Sequence, residues 1–467
     1  MRIPVPTDIP SATELGHVFF VGIGGAGLSA IARLMAQQGI PVSGSDAHES
    51  AVLTALRAEG IACHVGHDAA HLAGVDTVIA STAVRDDNPE IVEAQRRGLR
   101  LWPRSAGLRS VMQGRRTIAV AGTHGKTTTT AMLTCALIAA GAEPSFAIGA
   151  EVASLGANAR LGASDLLVAE ADESDGAFLV YEPEGAVVTN VDADHLDNYG
   201  TVEAYEAAFD EFVGRVGRFL VLSADDPRTG DLAALARDRG LEVLTAGFGE
   251  DADLRGLHLA VEGITTTFDV ALRGVDLGRV VLAVPGAHYA LDALLALGAG
   301  LQLDQNVDLL IAGLGAYTGA NRRMQLLGEA GGVRVYDSYA HHPTEIRADL
   351  AAARAVAGPD RLVVAYQPHL VSRTRTYGVQ MGQALSAADR VVVADIYLAR
   401  EDADPAVTSA LVADAVTGPE ATLGGPVAGL ADVLVPELRP GDLLLTLGAG
   451  DITTVGPAVL EVLGGGR

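Results

Sequence analysis

A glycine-rich segment with one lysine and five threonines, AGTHGKTTTT at residues 121–130, has the composition of a phosphate-binding loop. A short apolar, β-branched segment precedes it and a helix-forming segment follows, so the pattern predicts a strand, a loop and a helix. Backbone N–H groups and the positive end of that helix would then face an anion. Lys126 could reach the terminal phosphates of a nucleotide, and Thr127 could bind Mg²⁺.

Lys126 is also the only lysine of the sequence, because Lys and Arg together number 33 and arginine accounts for 33 − 1 = 32 of them. A planar guanidinium cannot replace a compact ammonium in a tight phosphate loop, which is a chemical reason for one lysine among so many arginines. The alternative is a chance lysine on a solvated turn. Val120 stands where the general motif has its first glycine, so the sequence predicts a variant phosphate loop.

Two acidic segments follow apolar, strand-like segments downstream of this loop: EADESD at residues 170–175 and NVDADHLDNY at residues 190–199. The carboxyl ends of parallel strands meet at one edge of a sheet, where α/β proteins place their sites. Hard carboxylate oxygens suit Mg²⁺, and we expect Glu173 to be a ligand. We expect His195 to bind metal or phosphate. The alternatives are a solvated charge run and a structural histidine.

A second glycine loop occurs early in the chain, where Gly22, Gly24 and Gly27 satisfy G-x-G-x-x-G between a strand-like and a helical segment. Asp46 follows about 20 residues later, at the position of a ribose-binding acid. The pattern therefore predicts a pyrophosphate site. An NAD site and a site for another nucleotide diphosphate, such as a UDP-sugar, fit it equally. Glycines that serve only a tight turn are the structural alternative.

The last third of the chain contains DSYAHHPTE at residues 337–345, again after a strand-like segment. Pro343 suits the first position of a helix, which leaves Tyr339 and His341 at the end of the strand. The structural alternative is that the two neighbouring histidines cap this helix. Arg373 could bind a carboxylate through paired hydrogen bonds, although such arginines also occur on ordinary surfaces.

Strand-like and helical segments alternate along the whole chain, which predicts an α/β protein. A length of 467 residues favours about three domains at roughly 150 residues each. We predict a Rossmann-like N-terminal domain (residues 1–114), a phosphate-loop ATPase-like central domain with a mostly parallel sheet (115–319) and a Rossmann-like C-terminal domain (320–467). The glycines of GLGAYTGANRRM predict a hinge before the last domain.

The net charge of −25 argues against nucleic acid or an anionic membrane surface as a partner, because both attract proteins rich in lysine and arginine. Small anionic ligands remain compatible, since local amides, arginines and Mg²⁺ bind them. Cys63 and Cys135 are too few for a disulfide framework and indicate a reducing, cytoplasmic setting. We expect no signal peptide and no membrane-spanning segment.

Taken in order, these segments resemble the ATP-dependent Mur ligases of bacterial cell-wall synthesis over essentially the whole chain, and within that family the alanine-adding branch. The motifs that carry the resemblance are GIGGAGLS, GTHGKTTT, EADESD, DADHLDNY, PGAHYALDA, GANRRM, DSYAHHPTE, YQPH and LGAGDI. The resemblance implies that other branches hold a second metal with a carbamoylated lysine. A chain whose only lysine lies in the phosphate loop fits the alanine-adding branch.

The resemblance implies a ligase that uses ATP and Mg²⁺ to join L-alanine to the lactyl carboxylate of UDP-N-acetylmuramate through an acyl phosphate. It implies that Lys126, Glu173 and His195 are catalytic. The last two, together with Thr127, are the implied metal ligands. The implied ATP-binding residues are Gly122, Thr123, His124, Gly125, Lys126, Thr127, Thr128, His288, Asp292, Arg323 and Asp337. The implied UDP-sugar-binding residues are Gly22, Gly24, Gly25, Ala26, Gly27, Asp46 and Ser81, and the implied amino-acid-binding residues are Tyr339, His341 and Arg373.

Five positions depart from the pattern of the family. Tyr289 and Asp292 replace asparagines of the adenine site, and Met324 replaces a phenylalanine. Ser338 replaces an acid of the strand-end motif, and Leu370 replaces an arginine that helps bind the amino acid. A ligase that attaches a murein tripeptide to the same sugar and an NAD-dependent oxidoreductase are the alternative functions. We expect a monomer or a weak homodimer.

Overall fold

The computed structural model describes residues 3–81, 84–399 and 401–465. Within these ranges the strands form three sheets, of five, ten and six strands. The chain folds into two compact units. The first unit contains the chain up to Leu257 with Asp269–Val280 and Leu291–Tyr317, and the second contains His258–Phe268, Val281–Ala290 and the chain from Thr318 onward.

The first sheet is a parallel sheet within the first unit. Its strands are β1 (Val18–Val21), β2 (Val42–Asp46), β3 (Ala62–Val65), β4 (Thr77–Ala80) and β5 (Arg100–Pro103). The helices of this region are α1 (Ala26–Gln37), α2 (Ala51–Ala58), α3 (Pro89–Arg97) and α4 (Arg104–Met112). The sheet order is β3-β2-β1-β4-β5, and all pairs are parallel. The order reverses between β1 and β4, which is where such a sheet places its ligand.

Burial explains why β1 and α1 form. The sequence of β1 is VFFV and every residue in it is buried, as expected for a central parallel strand that is covered on both faces. In α1, Leu28, Ile31 and Met35 are buried, as their spacing on one helix face predicts. The helix ends before Gly39, whose φ of 82° suits glycine.

The second sheet places the phosphate loop at its centre. Its strands are β6 (Arg116–Ala121), β7 (Ser145–Val152), β8 (Ala157–Arg160), β9 (Leu166–Glu170), β10 (Gly185–Val188), β11 (Phe219–Ser223), β12 (Glu242–Gly247), β13 (Leu254–Glu262), β14 (Thr265–Leu272) and β15 (Val275–Leu282). The helices are α5 (Lys126–Ala139), α6 (Leu196–Tyr199), α7 (Val202–Val213), α8 (Thr229–Asp238), α9 (Ala287–Gln302) and α10 (Val307–Gly315). The order is β15-β14-β13-β12-β11-β10-β6-β9-β7-β8. Because β6 is parallel to both neighbours, β9 and β10, the loops after these three strands meet at one edge.

The third sheet belongs to the second unit. Its strands are β16 (Gln325–Ala330), β17 (Val333–Ser338), β18 (Leu362–Tyr366), β19 (Arg390–Ala394), β20 (Glu420–Gly425) and β21 (Leu443–Leu447). The helices are α11 (Pro343–Ala357), α12 (Val371–Leu385), α13 (Ala410–Ala413), α14 (Leu430–Leu434) and α15 (Val455–Gly464). The order is β16-β17-β21-β18-β19-β20, with β16 antiparallel to β17 and the other pairs parallel.

The predicted fold class, three α/β domains with largely parallel sheets, is confirmed. The boundary predicted after residue 114 falls between α4 and β6, and that predicted after residue 319 falls between α10 and β16. The exact boundaries stay a prediction. The segment predicted as a hinge starts at Gly313, but its first three residues are helical, because α10 continues to Gly315. In the described part of the chain, every helix is too short or too polar to cross a membrane.

Candidate active site

The predicted phosphate loop forms the turn between β6 and α5. Gly122 and Gly125 have φ values of 127° and 81°, and a Cβ on Gly122 would lie 2.0 Å from Thr189 Oγ1. Helix α5 begins at Lys126, inside the segment predicted as the loop, so the threonine run lies in the first turns of the helix. Lys126 Nζ donates to the carbonyl oxygens of Gly122 at 2.7 Å and Thr123 at 2.9 Å. The loop therefore has the tight, amide-lined form that phosphate groups require.

The loop after β10 holds the phosphate loop in place. The N–H of His124 donates to Asn190 Oδ1 at 2.9 Å, and Asn190 Nδ2 donates back to the carbonyl of His124 at 3.0 Å. Thr123 Oγ1 donates to the carbonyl oxygen of Asp192 at 2.9 Å. His124 Nε2 also lies 3.2 Å from the carboxylate of Asp192. These bonds fix the loop before any ligand binds.

The three predicted catalytic side chains lie together at the edge formed by β6, β9 and β10. Glu173 is fully buried, and its Oε2 lies 2.8 Å from Lys126 Nζ. Its Oε1 lies 3.7 Å from His195 Nε2. Burial raises the pKa of Glu173 to about 7, against the opposing effect of the Lys126 charge. Burial lowers the pKa of Lys126, but the carboxylates of Glu173 and Asp172 outweigh it and hold that pKa above its ordinary value.

The predicted metal ligand Thr127 contacts Glu170, a glutamate that was not predicted as a site residue. Its Oγ1 donates to both carboxylate oxygens of Glu170, at 3.1 and 3.0 Å, and the N–H of Gly149 donates to Oε2 of the same group at 2.6 Å. Glu170 is the first acid of the EADESD segment, but sequence reasoning had no basis for choosing it over Glu173. The signal that could have found it is its place as the last residue of β9, the strand next to the phosphate loop.

The donor set at this edge fits Mg²⁺. Two glutamate carboxylates and the Thr127 hydroxyl supply the hard oxygens that this ion prefers. Among the described residues, the buried Oε2 of Glu173 has no correctly angled hydrogen-bond partner, although it lies close to the Lys126 ammonium. A buried carboxylate oxygen of this kind has a free lone pair for a cation.

The predicted ATP-binding residues divide between the two units. Asp292 belongs to the first unit, where its Oδ1 accepts a hydrogen bond from Thr129 at 3.1 Å. It packs against the phosphate loop, since a Cβ on Gly125 would lie 2.4 Å from that oxygen. His288 and Arg323 belong to the second unit. There the hydroxyl of Tyr289, one of the departures from the family pattern, donates to the carbonyl of Arg323 at 3.1 Å.

Asp337 is fully buried at the end of β17 and holds an arginine that was not predicted as a site residue. Its oxygens accept hydrogen bonds from Thr446 at 2.6 Å, from Thr453 at 2.8 Å and from Arg322 at 3.2 Å. The guanidinium of Arg322 also donates to the carbonyl of Gly448. Asp337 therefore fixes the position of Arg322. Thr446 lies in β21, and Thr453 follows the LGAGDI motif directly.

Asp349 supplies a carboxylate beside Ser338, where the family pattern has an acid. Ser338 Oγ donates to Asp349 Oδ2, and His288 Nε2 lies 3.8 Å from Asp349 Oδ1. Asp349 is 8% exposed. Burial raises its pKa to about 7, although the hydrogen bond from Ser338 opposes the shift. Burial and then the charge of Arg323 lower the pKa of His288 to about 4.

The three predicted amino-acid contacts form one cluster, joined by His369. The Tyr339 ring lies 5.3 Å from the His341 ring, which lies 5.9 Å from the His369 ring. Arg373 is buried, and its guanidinium lies 3.3 Å from His369 Nδ1. His369 belongs to the YQPH segment but was not chosen from the sequence. Leu370 is buried with φ of 68°. Because this residue is a leucine where the family pattern has an arginine, the position supplies no guanidinium to the cluster.

Tyr339 also faces two arginines, and its neighbour His342 has a structural role. The guanidinium carbons of Arg322 and Arg323 lie 4.9 and 5.4 Å from the centre of the Tyr339 ring. His342 caps α11, because its side chain accepts the N–H of Thr344 at 3.4 Å. The helix-capping alternative is therefore confirmed for His342.

The predicted UDP-sugar residues gather at the switch point between β1 and β4. The N–H of Gly24 donates to Asp46 Oδ2 at 3.0 Å, and a Cβ on Gly24 would lie 2.9 Å from that oxygen. The N–H of Gly25 donates to the carbonyl of Gly22 at 3.1 Å, which closes the turn before α1. The N–H of Ser81 donates to Val21 at 3.2 Å, so Ser81 lies beside this turn. Asp46 thus shapes the loop, whatever contact it makes with a ligand.

Comparison with known proteins finds matches in the N-terminal, central and C-terminal regions of the chain. The chain matches three family models: "Mur ligase family, catalytic domain" over residues 17–116, "Mur ligase middle domain" over 120–300 and "Mur ligase, glutamate ligase domain" over 322–450. It is 58% identical to a UDP-N-acetylmuramate–L-alanine ligase of Nocardioides sp. over the whole length of both chains. It is 50% identical to the ligase of that name from Kineococcus radiotolerans, over 99% of both chains.

Solved structures agree with this assignment. The crystal structure of a UDP-N-acetylmuramate-alanine ligase from Thermotoga maritima has a TM-score of 0.82 at 30% identity and covers 96% of this chain and 98% of its own. A murein peptide ligase from Psychrobacter arcticus has a TM-score of 0.73 at 24% identity and covers 96% and 99% of the two chains, which shows a shared fold. The chain belongs to the Mur ligase family and, within it, to the UDP-N-acetylmuramate–L-alanine ligases.

Proposed function

We propose that this chain uses ATP to join L-alanine to the lactyl carboxylate of UDP-N-acetylmuramate, releasing ADP and phosphate, as a step of peptidoglycan precursor synthesis in the cytoplasm. The observation that carries the proposal is the group of Lys126, Glu173 and His195 beside the phosphate loop, in a chain 58% identical to a ligase of that name. The protein is an ATP-dependent Mur ligase.

The phosphate loop would bind the β- and γ-phosphates through its backbone N–H groups, and Lys126 would neutralise the terminal phosphate. In the structure its ammonium already points into the loop, since it donates to Gly122 and Thr123. Thr127 and Glu173 would hold one Mg²⁺ and His195 a second. When bound, Mg²⁺ would draw negative charge away from the transferring phosphoryl group. Lys126 adds a fixed positive charge at the same place, in a site largely shielded from water.

The reaction has two steps in this proposal. The lactyl carboxylate oxygen attacks the γ-phosphorus, the bond to ADP breaks, and an acyl phosphate forms. The amine of L-alanine then attacks the acyl carbon, loses a proton, and phosphate leaves. Arg373 would bind the alanine carboxylate, with Tyr339 and His341 lining the pocket. Exclusion of water protects the acyl phosphate between the two steps.

The first alternative function is attachment of a murein tripeptide to the same sugar. The likeness to the murein peptide ligase, at 24% identity, concerns the fold, whereas the full-length relatives at 46–58% identity are alanine ligases. Membership of the Mur ligase family leaves an NAD-dependent oxidoreductase without support. A monomer or weak homodimer stays our prediction for the assembly.

Phosphate release from the purified protein tests the proposal. With Mg-ATP, UDP-N-acetylmuramate and L-alanine together, release should be fast, and omission of any one should abolish it. Replacing L-alanine by the tripeptide should give little turnover. Lys126→Met should lose activity by at least about a thousandfold, since it removes the only ammonium of the loop. The control is Arg96→Gln, which breaks a surface ion pair with Glu93. Release that needs no L-alanine, or a Lys126→Met enzyme as fast as the control, would contradict the proposal.

A further inference from the structure

Arg104 joins the two substrate regions of the first unit. It is the first residue of α4 and follows directly after β5 in the N-terminal region. Its Nη2 lies 2.7 Å from Asp172 Oδ2 in the acidic segment after β9. Asp172 immediately precedes Glu173, and its other oxygen accepts the N–H of Ser174 at 3.0 Å. One arginine thus anchors the segment that carries the buried glutamate of the ATP site.

The same guanidinium covers the glycine loop of the predicted UDP-sugar site. A Cβ on Gly27 would lie 2.9 Å from Arg104 Nη1 and 3.0 Å from Arg104 Cδ. Gly27 is the second residue of α1, where N–H groups are free to bind an anion. Arg104 therefore places a positive charge against the first turn of α1 and at the start of α4, two positions where the helix dipole disfavours a cation.

This placement has a simple explanation if an anion binds between Arg104 and the loop. Asp172 is one counter-ion in the structure, and each of the two side chains keeps about a quarter to a third of its surface exposed, 27% and 30%. A guanidinium has several N–H donors, so Arg104 can keep one bond to Asp172 while it donates to phosphate oxygens from another nitrogen. The diphosphate of a nucleotide sugar has the required charge and oxygen geometry.

Building on the proposed function, we propose that Arg104 binds the diphosphate of the UDP-sugar and, through its ion pair with Asp172, acts as a positioning residue for the ATP site. Binding of the sugar nucleotide at the glycine loop then orders the acidic segment that holds Glu173. The two partners of this ion pair have different tasks. Arg104 contributes to substrate affinity and to turnover, whereas Asp172 contributes to turnover alone.

The test uses the full-length protein and measures UDP-N-acetylmuramate binding by calorimetry alongside phosphate release. Arg104→Gln should weaken the binding of the sugar nucleotide by at least about tenfold, because a charge-assisted contact is lost. The KM for ATP should change by less than about threefold, because the ion pair of Arg104 is with Asp172, outside the phosphate loop. Arg104→Lys keeps the charge and should recover a large part of the affinity.

Asp172→Asn should leave the affinity for UDP-N-acetylmuramate unchanged or improve it, because Arg104 is released from its counter-ion, while kcat falls. The matched control is Arg109→Gln, which removes another ion pair between α4 and the central region, that of Arg109 with Glu182. It should leave both affinity and kcat close to wild type.

The outcomes separate this inference from the proposed function. A wild-type protein that does not bind UDP-N-acetylmuramate contradicts both. If the wild type binds the sugar nucleotide and Arg104→Gln binds it equally well while Lys126→Met lacks turnover, only the role of Arg104 is refuted. Equal loss of affinity in Arg104→Gln and Asp172→Asn would show that the ion pair is only a structural link.

Discussion

Replacing Asp349 by asparagine should remove a pH-dependent loss of stability. The Asp349 carboxyl is 8% exposed, and burial raises its pKa to about 7 against an ordinary value of 3.8. A group whose pKa is raised on folding stabilises the folded state most below pH 3.8, and this contribution is lost as the pH rises through 7. Asparagine keeps the shape and can still accept the hydrogen bond from Ser338, but it does not ionise.

The size of the effect follows from the two pKa values. Their difference of about 3 units corresponds to about 4 kcal/mol at full ionisation, at 1.36 kcal/mol per unit. Between pH 5.5 and pH 8 the linkage relation gives a loss of about 2 kcal/mol in the unfolding free energy from this group. His288, at 3.8 Å, does not compensate, because its lowered pKa of about 4 keeps it neutral over this range.

Urea unfolding of the wild type and Asp349→Asn at pH 5.5 and pH 8, followed by circular dichroism, measures the difference. The variant should gain about 2 kcal/mol relative to the wild type as the pH rises. The control is Asp389→Asn. At Asp389 the hydrogen bond from Leu362 N and the charge of Arg354 outweigh burial and lower the pKa of the carboxyl. Above the ordinary pKa of an aspartate, Asp389→Asn should therefore be less stable than the wild type. Parallel pH curves for Asp349→Asn and wild type would refute the reasoning.

Two further predictions concern the phosphate loop. Gly122→Ala should destabilise the protein by about 3 kcal/mol or more and abolish ATP binding, because its Cβ would lie 2.0 Å from Thr189 Oγ1 at φ of 127°. The control is Gly141→Ala, where φ is 80° and the added Cβ would meet no neighbouring atom within 4 Å. It should lower the unfolding free energy by only about 1 kcal/mol. Equal losses of unfolding free energy in the two variants would refute the packing argument. Thr127→Val should raise the Mg²⁺ concentration for half-maximal activity by at least about tenfold. The control Thr134→Val should leave that concentration unchanged. If Thr127→Val also leaves it unchanged, Thr127 is not a metal ligand.

Local patterns predicted the parts of the fold and site that depend on a few neighbouring residues. The strand, loop and helix around Lys126 follow from one short segment, and so do the glycine turn before α1 and the helix that begins at Pro343. The meeting of Glu173 and His195 was also predictable, because both follow strands that flank β6 in a parallel sheet.

Contacts between distant segments were not predictable in this way. The hydrogen bond from Thr127 to Glu170 depends on which carboxylate of the acidic segment turns toward the loop. Asp349 lies inside a helix, and only the packing of α11 on β17 brings it to Ser338. The antiparallel strand β16 was not predicted, because a glycine at the bulge interrupts its segment, QLLGEA.

The solitary lysine has a practical consequence for covalent chemistry. Its amine donates to two carbonyl oxygens and faces a carboxylate, and only 13% of the side chain is exposed. Since its pKa lies above the ordinary value, the amine is protonated and a poor nucleophile. Apart from the α-amino group of the chain, acylating dyes, crosslinkers and lysine-specific proteases thus have one target, the lysine of the predicted phosphate loop. Once the label on the α-amino group is subtracted, the mass added by an amine reagent therefore measures the fraction of molecules in which the phosphate loop exposes Lys126.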